Sequence, residues 1–506
     1  MRPPKRLLPY AVLIAVAILL AVKESALLYT LQDQNLFLHT PLFFKQQMVT
    51  AGGLLTWAGS YLTQFFYYPM LGAGVLCLLW AFLMWLLKRT FRLDSLWLTL
   101  VPVVCLLLTI VTLGYWVYYL KLPGHAFVAT LGTIVAVALA WLYRSLPRRY
   151  FLRSLFVPLS ACIGYPLFGF YGLLATALMA LTAWRTDGSR RMTDTLTALL
   201  AIIAVPLVCY HTLYHETNIV NIYWTALPVF AMHGERYFAY NLPYVFLVGS
   251  ILVAALIGKT KIMGYVWLQT TVMAVCVIAV ALFWYKDDNF HRELSMRRSL
   301  ESLDYGQMLA TSQAVKGEPT RAICLMQNLA LFRTGRMEQD MFHSPNGNAR
   351  PNAPFSVRLV HTIGKMLYLQ YGIPNYCYRW CMEDGVEYGW TVERLKLMAK
   401  CSLLNGEFVA AQRYLNLLKK TDFHRSWALQ QENLIHRPQL ITQDPELKAI
   451  IPLLRSDNFL TADQSQLEMF LIEQILSTPG TNVAQQDLAR LTMRYYQRIR
   501  FKPIER

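Results

Sequence analysis

The stretch MLGAGVLCLLWAFLMWLL, residues 70–87, decides the class of this protein. It contains no charged residue, and Lys88 and Arg89 follow it directly. A helix rises about 1.5 Å per residue, so about 20 apolar residues are needed to cross the roughly 30 Å hydrocarbon core of a bilayer. The stretch therefore predicts a transmembrane helix that ends at two basic residues.

Comparable apolar runs recur on both sides of this helix. Of the 506 residues, 55% are hydrophobic and only 15% are charged, which excludes an ordinary series of soluble domains. The amino-terminal run LLPYAVLIAVAILLAV resembles a secretory signal, but no small-residue cleavage site follows, so we expect an uncleaved anchor. About nine spans are predicted, near residues 7–29, 70–87, 95–118, 124–143, 151–184 (counted as two), 195–213, 242–258 and 263–284.

Residues 151–184 are too long for one ordinary span and a little short for two. The basic sequences RSLPRR (144–149) and WRTDGSRR (184–191) flank this segment, which puts both of its ends on the cytoplasmic side. The chain must therefore turn back, and Gly164 to Pro166 together with Gly169 permit a break. The sequence predicts two short helices or a re-entrant hairpin.

The basic residues also predict the orientation in the membrane. With nine crossings, the predicted inner loops hold 15 Lys or Arg, whereas the predicted outer loops hold Lys45, Lys121 and Arg236. Basic residues concentrate in cytoplasmic loops of membrane proteins. We therefore expect a multi-pass protein of the bacterial inner membrane, with a cytoplasmic amino terminus and a periplasmic carboxy-terminal domain. The net charge of +17 then needs no nucleic acid as a partner.

The chain changes character after Tyr285. Up to this residue it has 19 Lys or Arg and 7 Asp or Glu, against 28 and 23 afterwards, out of totals of 47 and 30. A transmembrane domain at 1–285 and a soluble extracytoplasmic domain at 286–506 are therefore predicted. Amphipathic helical stretches in the latter lie at 299–315, 319–335, 356–372, 391–407 and 408–420.

One of these helix pairs resembles a tetratricopeptide repeat. The sequence LLNGEF at 403–408, with Ala411, Tyr414 and Leu415 after it, matches the turn and second helix of such a unit. The predicted fold is therefore all-α: a polytopic bundle of transmembrane helices followed by a helical-repeat-like, tetratricopeptide-like domain, with the repeat around 391–420. An irregular all-helical domain is the alternative.

The cysteines indicate packing rather than catalysis. Five of the nine lie in predicted spans, and Cys324, Cys377, Cys381 and Cys401 lie in the tail. Cys377 and Cys381 have the spacing of helix neighbours, whose β-carbons stand about 5–6 Å apart, more than the roughly 3.5–4.5 Å of a disulfide. Buried thiols are expected, and no ligand set for a metal is predicted.

The sequence contains no phosphate loop, dinucleotide fingerprint, HExxH or serine-elbow pattern, so candidate chemistry lies at the outer membrane face. Residues 54–68 predict an aromatic helix lying in the interface. The first outer loop supplies Asp33 as a candidate catalytic residue, and the second, 211–241, supplies Glu216 and Glu235. Candidate substrate-binding residues are His215, His233, Arg236, Tyr67 and Tyr68.

This arrangement resembles the polytopic glycosyltransferases that use a lipid-phosphate-linked sugar. In that class an acidic residue follows the first span, interfacial helices come next, and some members end in tetratricopeptide repeats. The resemblance implies that Asp33 acts as a general base or holds a divalent metal against a polyprenyl-phosphate sugar, with Arg236 near the phosphate. The chain departs from the class at Gln32, Gln34 and Asn35, where a second acidic residue is usual.

Over most of its length the chain also resembles an uncharacterised family of polytopic inner-membrane proteins from Bacteroidales. The sequences GGLLTWAGSYLTQFFYYPMLGA (52–73) and YPLFGFYGLLATALMAL (165–181) carry this resemblance. It implies an inner membrane and a periplasmic tail, and no activity.

Three functions stay open from sequence. The first is glycosyl transfer at the outer face, in envelope glycan or glycoprotein biogenesis. The second is a non-catalytic scaffold that lies in the lipid bilayer and binds a periplasmic protein partner through 286–506. Transport is a weaker third, because Lys23 and Glu24 are almost the only charges within the spans.

Overall fold

The computed structural model describes residues 8–93, 95–147, 150–186, 191–257, 265–343, 345, 347–454, 467–477 and 482–501. The amino-terminal basic residues and the predicted inner loops at 187–190 and 258–264 lie outside these ranges. Two compact units divide the chain. The first unit comprises residues 1–116 and 120–285, and the second unit comprises residues 117–119 and 286–506.

The described part of the first unit is almost entirely helical. It also contains a small antiparallel hairpin of two strands of two residues each, β1 (Ala231–Met232) and β2 (Glu235–Arg236). Its helices are α1 (Leu8–Lys23), α2 (Ser25–Asp33), α3 (Pro41–Gln47), α4 (Gly53–Thr63), α5 (Pro69–Phe91), α6 (Leu100–Val111), α7 (His125–Ser145), α8 (Tyr150–Phe168), α9 (Phe170–Thr186), α10 (Arg191–Thr212), α11 (Leu242–Ile257) and α12 (Val266–Phe283).

Five described helices are long and apolar enough to cross a membrane: Pro69–Phe91, His125–Ser145, Met192–Thr212, Phe238–Ile257 and Val266–Phe283. The bent pair α1 and α2 makes a sixth if it counts as one span. Shorter apolar helices, at Trp97–Val111, Leu152–Phe168 and Phe170–Trp184, occupy the positions of the other three predicted spans. The structure therefore has the helices of a membrane-associated protein, and crossing by all nine stays a prediction.

One predicted span is shorter in the structure, and the segment predicted to form two short helices does so. The span predicted at 95–118 is shorter, because α6 ends at Val111 and a 3-10 turn follows at Gly114–Tyr118. The segment 151–184 forms two helices, α8 and α9, which are separated at Gly169. Gly169 has a φ of 57°, which glycine adopts without strain, and the backbones of Gly164 and Gly172 approach closely.

The first predicted span is broken rather than straight. α1 ends at Lys23, and α2 starts at Ser25 with its axis bent by 75°. Glu24, between them, is 1% exposed, and one of its carboxylate oxygens accepts a hydrogen bond from Trp284 Nε1 at 2.7 Å. Lys23 is exposed, with its ammonium 4.8 Å from the centre of the Trp284 ring. The charged pair thus splits, with Glu24 inside the unit and Lys23 outside.

α4 packs closely against the amino-terminal end of α7. Gly124, which precedes α7, has a φ of 64°, and a β-carbon on it would collide with the backbone of Gly59 and Ser60. Gly59 in turn faces the carbonyl oxygen of Gly124. Small residues therefore bring these two helices together, as at many membrane helix interfaces.

A buried carboxylate ties three helices together at the other end of α7. Asp194 on α10 is fully buried and accepts hydrogen bonds from Tyr143 Oη and Ser154 Oγ, each at 2.8 Å. The guanidinium of Arg153 donates to the carbonyl oxygens of Leu146 at 2.7 Å and Arg144 at 3.2 Å. These polar groups are satisfied within the protein, as buried polar groups must be in lipid.

In the second unit, helices that follow each other along the chain pack against each other, as in α17 to α21. They are α13 (Asp288–Glu301), α14 (Tyr305–Gln313), α15 (Arg321–Arg333), α16 (Met337–Asp340), α17 (Lys365–Gln370), α18 (Pro374–Tyr388), α19 (Val392–Leu404), α20 (Phe408–Leu418), α21 (Arg425–His436), α22 (Leu467–Ser477) and α23 (Val483–Phe501). The stretch predicted at 299–315 divides, because Leu303 has a φ of 59° and the carboxylate of Asp304 accepts from Gln307 N, which starts α14.

The pair that resembles a repeat unit is an antiparallel helix pair. α19 and α20 pack together, with Ala411 and Leu415 fully buried. Gly406, with a φ of 73°, ends α19, and Glu407 N donates to Ser402 O, which completes a Schellman turn. The local helix pair is present, and its assignment as a tetratricopeptide repeat stays a prediction.

None of the nine cysteines forms a disulfide, and the four of the second unit are buried. Burial raises the pKa of the Cys377 and Cys381 thiols above the ordinary value. The expectation of buried thiols in the tail is confirmed.

Replacing Gly124 by Ala should destabilise the first unit. The new β-carbon meets the backbone of α4, and the left-handed conformation itself costs about 1–2 kcal/mol for a residue other than glycine. We expect the free energy of unfolding to fall by about 2 kcal/mol or more, measured by thermal unfolding of the detergent-solubilised chain. The matched control is Gly74→Ala on α5, where a β-carbon meets no atom within 4 Å. Equal melting temperatures for the two variants would contradict the close packing of α4 on α7.

Candidate functional site

Asp33 lies at the carboxyl end of α2 and is 1% exposed. The preceding residue, Gln32, is 2% exposed, and Asn35, just after the helix, is 5% exposed. The carboxylate of Asp33 and the side-chain amides of Gln32 and Asn35 are therefore buried within four consecutive positions of the chain. Because burial of such groups costs free energy unless they are hydrogen-bonded, they are a candidate site rather than a solvated turn.

Asn35 connects this segment to α4 and to the start of α7. Its side-chain amide nitrogen donates to the carbonyl oxygen of Ser60 at 3.0 Å, and its Oδ1 accepts from Gly124 N at 3.2 Å. One side chain thus uses its donor and its acceptor on two helices that are distant in sequence. This bridge fixes the chain immediately after Asp33 against the α4–α7 contact.

The tyrosines predicted to bind substrate lie beside the same segment. The 3-10 turn Gln64–Tyr67, which continues α4, packs against α2. The ring of Tyr67 lies 6.1 Å from that of Tyr29 on α2 and 5.0 Å from that of Tyr68, centre to centre. Tyr68 is exposed, whereas Gln64 is 6% exposed. The structure therefore brings Tyr67 and Tyr68 to the helix that carries Asp33.

An aromatic cluster covers the predicted interfacial segment 54–68. Phe37 is 2% exposed and contacts the rings of Trp57 and Tyr61, at 5.5 and 5.1 Å between centres. Tyr61 also contacts Phe65 edge to face at 5.7 Å. These aromatics pack on each other and hold the first outer loop, and their depth in a membrane stays a prediction.

The candidates from the second outer loop are placed differently. Glu216, Glu235, His215, His233 and Arg236 are all exposed. Glu235 and Arg236 form strand β2, and the connecting turn has positive φ angles at His233 (50°) and Gly234 (86°). These five residues lie on the same exposed loop, whereas Asp33 is buried.

The two predicted outer loops contact opposite ends of α4. Ala226 of the second loop lies against Gly52, which precedes α4, and Asn35 bonds to Ser60 toward the other end. At about 1.5 Å per residue, the eight residues between these points span about 12 Å.

The buried set supplies a single carboxylate for chemistry. Asp33 can accept a proton or a hydrogen bond, and the amides of Gln32 and Asn35 can donate and accept. Ca²⁺ takes six to eight oxygen ligands, whereas Mg²⁺ keeps several waters and is usually bound by one or two carboxylates together with substrate phosphates. The described residues contain no group of three or more His, Cys, Asp or Glu that could hold a metal ion. The donors around Asp33 therefore do not form a complete metal site by themselves, and a divalent metal there would need the phosphate of the substrate as a further ligand.

A second polar cluster, which the sequence did not predict, lies inside the second unit around Asp384 on α18. One oxygen of Asp384 lies 2.7 Å from His361 Nδ1, and the other lies 2.5 Å from Lys365 Nζ. Arg394 is 4.0 Å away. Lys365 also donates to the carbonyl oxygens of Val360 and His361, in a π-helical turn that precedes α17. Such turns are rare and frequently mark functional or strained positions.

Aromatic rings surround His361. The rings of Tyr119, Tyr388 and Trp380 lie 5.5, 5.6 and 5.8 Å from the imidazole, all close to edge to face. Burial raises the pKa of Tyr119 and of Tyr388 above the ordinary value. The cluster joins α17, α18 and residues 117–119 within the second unit.

Burial alone would raise the pKa of Asp384, but Lys365, His361 and Arg394 outweigh it and hold that pKa below its ordinary value. Asp384 and Lys365 are each about 1% exposed, so their charges are shielded little by solvent. The i to i+4 spacing of His361 and Lys365 places them on one helix face. The sequence could not show that Asp384, on another helix, completes the cluster.

These observations define the class: an α-helical, membrane-associated protein with several helices long enough to cross a bilayer, followed by a helical unit rich in buried ion pairs. The chain belongs to the family of unknown function DUF6057, whose model matches residues 3–493. The resemblance to an uncharacterised family is thus confirmed over nearly the whole chain. No curated protein and no solved structure matches the chain.

Replacing Asp384 by Asn should destabilise the second unit. The change leaves Lys365 buried without its counter-ion, which typically costs about 3–5 kcal/mol. The pKa of Asp384 is lower in the folded state than in the unfolded state, where it is about 4. The charge of Asp384 therefore stabilises the fold fully above about pH 4, and this stabilisation is lost as the pH falls through the lower pKa of the folded state. We expect the melting temperature of the variant to lie well below that of the wild type at pH 7, and this difference should become smaller below about pH 4.

The control for this variant is Glu383→Gln, one residue earlier. Glu383 is 46% exposed and pairs with Arg379 four residues before it, so its loss should change stability by less than about 1 kcal/mol. Hydrogen exchange of peptides from α17 and α18 in the full-length chain assigns the effect to the second unit. Equal protection in the two variants would show that the buried cluster does not hold these helices.

Proposed function

We propose that the chain is a multi-pass protein of the bacterial inner membrane, with a cytoplasmic amino terminus and a periplasmic domain at 286–506. The asymmetry of basic residues between alternate loops supports this orientation. The apolar helices support contact with a lipid bilayer. On this orientation Asp33 faces the periplasmic half of the membrane.

We propose further that the first unit transfers a sugar from a polyprenyl-phosphate donor, in the biogenesis of envelope glycan or glycoprotein. The observation that carries this proposal is the enclosure of Asp33 at the end of a broken first span, with the aromatic helix α4 and its following turn beside it. A carboxylate kept at the membrane boundary costs free energy and is therefore expected to have a function.

In this reaction the hydroxyl oxygen of the acceptor attacks C1 of the sugar, and the bond between C1 and the phosphate oxygen breaks. Asp33 takes the hydroxyl proton, and polyprenyl phosphate leaves with the bonding electron pair. Arg236, exposed on the second loop, pairs with the phosphate, while Tyr67 and Tyr68 contact the sugar or lipid. His215, His233, Glu216 and Glu235 belong to the same outer surface as auxiliary binding or catalytic groups. No step requires a metal.

The second candidate function is a scaffold that binds a periplasmic protein through the second unit. Serial packing of α17 to α21 favours it, because stacked helix pairs of this kind form extended binding surfaces in tetratricopeptide proteins. The two functions differ in whether the first unit performs chemistry. Transport is not supported further, since Glu24 is hydrogen-bonded to Trp284 within the unit.

Asp33→Asn tests the enzyme proposal, because the change keeps the shape of the side chain and removes the base. In a host strain lacking the chain, the variant should restore less than about 1% of the glycan or glycoprotein product that the wild type restores, since general-base catalysis contributes about 10²–10⁴-fold. Gly74→Ala on α5, which touches none of the candidate site residues, is the control and should restore most of it. Normal product from Asp33→Asn at normal protein level would favour the scaffold.

Protease accessibility tests the orientation. A tag at the carboxy terminus should be cleaved when protease is added to spheroplasts, because residues 286–506 are expected outside the inner membrane. A tag at the amino terminus should be protected until the membrane is dissolved. Protection of the carboxy-terminal tag in intact spheroplasts would contradict the proposed orientation, and with it the proposal that the Asp33 site lies on the periplasmic side.

A further inference from the structure

Among the described residues, Ser60 and His125 each carry a buried polar side-chain atom without a hydrogen-bond partner. Ser60, on α4, is 0% exposed, and His125, the first residue of α7, is 9% exposed. Neither Ser60 Oγ nor His125 Nε2 has a partner within the described part of the chain. A buried polar atom without a partner loses its bonds to water and gains none, so such atoms are rare in folded proteins and need an explanation.

The two residues are neighbours in space. Gly124, adjacent to His125, lies against the backbone nitrogen of Ser60. Asn35 bonds to both segments, through the carbonyl oxygen of Ser60 and the backbone nitrogen of Gly124. Asn35 follows Asp33 by two residues. The backbone segments that carry the two unpartnered atoms are therefore joined, through Asn35, to the segment that carries the candidate base.

Other hydroxyls of α4 show what a purely structural side chain does at this place. Thr56 Oγ1 donates to Gly53 O at 3.0 Å, and Thr63 Oγ1 donates to Gly59 O at 2.7 Å. Both are buried, and both satisfy themselves on the preceding turn of their own helix. Ser60 lies between Thr56 and Thr63 on the same helix, but its hydroxyl does not form such a bond to the preceding turn.

The charges near this region select the kind of ligand. Within the described residues of the first unit, Arg153 is the buried cation. Arg153 bonds to the carbonyl of Leu146, beyond the far end of α7, which is about 30 Å long. The region of Ser60 and His125 thus offers neutral donors and acceptors next to one carboxylate. A phosphate would find no buried counter-charge there, whereas an uncharged hydroxyl-rich group fits.

We propose that Ser60 Oγ and His125 Nε2 bind the hydroxyl groups of the uncharged sugar ring of a polyprenyl-phosphate-linked monosaccharide. This inference rests on the proposed function and adds the position of the sugar. Asp33 lies next to the ring, and the phosphate lies away from Ser60 and His125. Ser60 and His125 act as binding residues that determine which sugar is accepted.

Ligand-dependent thermal shifts of the detergent-solubilised full-length chain test this proposal. The probes are polyprenyl-phosphate-linked mannose, glucose and N-acetylglucosamine, each compared with polyprenyl phosphate that lacks a sugar. At least one sugar-bearing lipid should raise the melting temperature of the wild type more than the sugar-free lipid. Ser60→Ala and His125→Phe should each lose this sugar-dependent part, with affinity for that donor lowered about tenfold.

Two controls separate ligand binding from structure. Thr56→Val removes a buried hydroxyl that is satisfied within α4, and it should lower the ligand-free melting temperature while keeping the sugar-dependent shift. Ser60→Ala removes a hydroxyl that has no partner, and it should leave the ligand-free melting temperature unchanged or raised. A lower ligand-free melting temperature for Ser60→Ala than for Thr56→Val would assign Ser60 a structural bond, for example to an enclosed water, and would overturn the proposal.

The result for Asp33→Asn distinguishes this proposal from the proposed reaction. Asp33→Asn should retain the sugar-dependent shift, because it removes the base and keeps the binding groups. If that variant forms normal product while the shift still depends on Ser60 and His125, the enzyme proposal fails and the sugar site stands. If the wild type shows no sugar-dependent shift, or if both Ser60→Ala and His125→Phe keep it, the sugar site is wrong.

Discussion

A carboxylate inside an apolar helix bundle must find its hydrogen bonds within the protein, and Glu24 finds one at Trp284 Nε1. The helix breaks at this residue, and α2 leaves α1 at 75°. A straight continuation would carry Asp33 about 15 Å further along the axis of α1, at about 1.5 Å for each of ten residues. The bend instead lays α2 against α5 and the turn Gln64–Tyr67, and the environment of Asp33 depends on it.

The helices of the first unit could be predicted because their signal is local. Length, hydropathy and flanking charge identify a helix such as α5 from its own residues, and the glycines of 164–172 indicated where α8 and α9 separate. The break after α1 was not predicted, because the first span was expected to continue past Lys23 and Glu24 to about residue 29. The angle of this break depends on which distant side chain meets Glu24, and Trp284 lies 260 residues away. The end of α6 was likewise misplaced, since apolar residues continue through a 3-10 turn.

The polar clusters could be predicted only in part, because they are made by residues that the fold brings together. Asp33 could be identified from its position after the first span. Asn35 gave no sign that it would join Ser60 to Gly124, which is 89 residues away. His125 follows Pro-Gly and looked like an ordinary loop residue, and Asp384 lies on a different helix from the His361 and Lys365 that surround it. Sequence periodicity reports which face of a helix is apolar, and it does not report which faces meet.

The second unit is held by packing and buried ion pairs, and its four cysteines are enclosed in the core and form no disulfide. Burial raises the pKa of Cys377 and Cys381, which disfavours the reactive thiolate form. Enclosure also shields the thiols from peroxide and from mixed-disulfide formation while the domain is folded. Oxidation can reach them only in a chain that has already opened, so modified thiols would mark molecules that have unfolded.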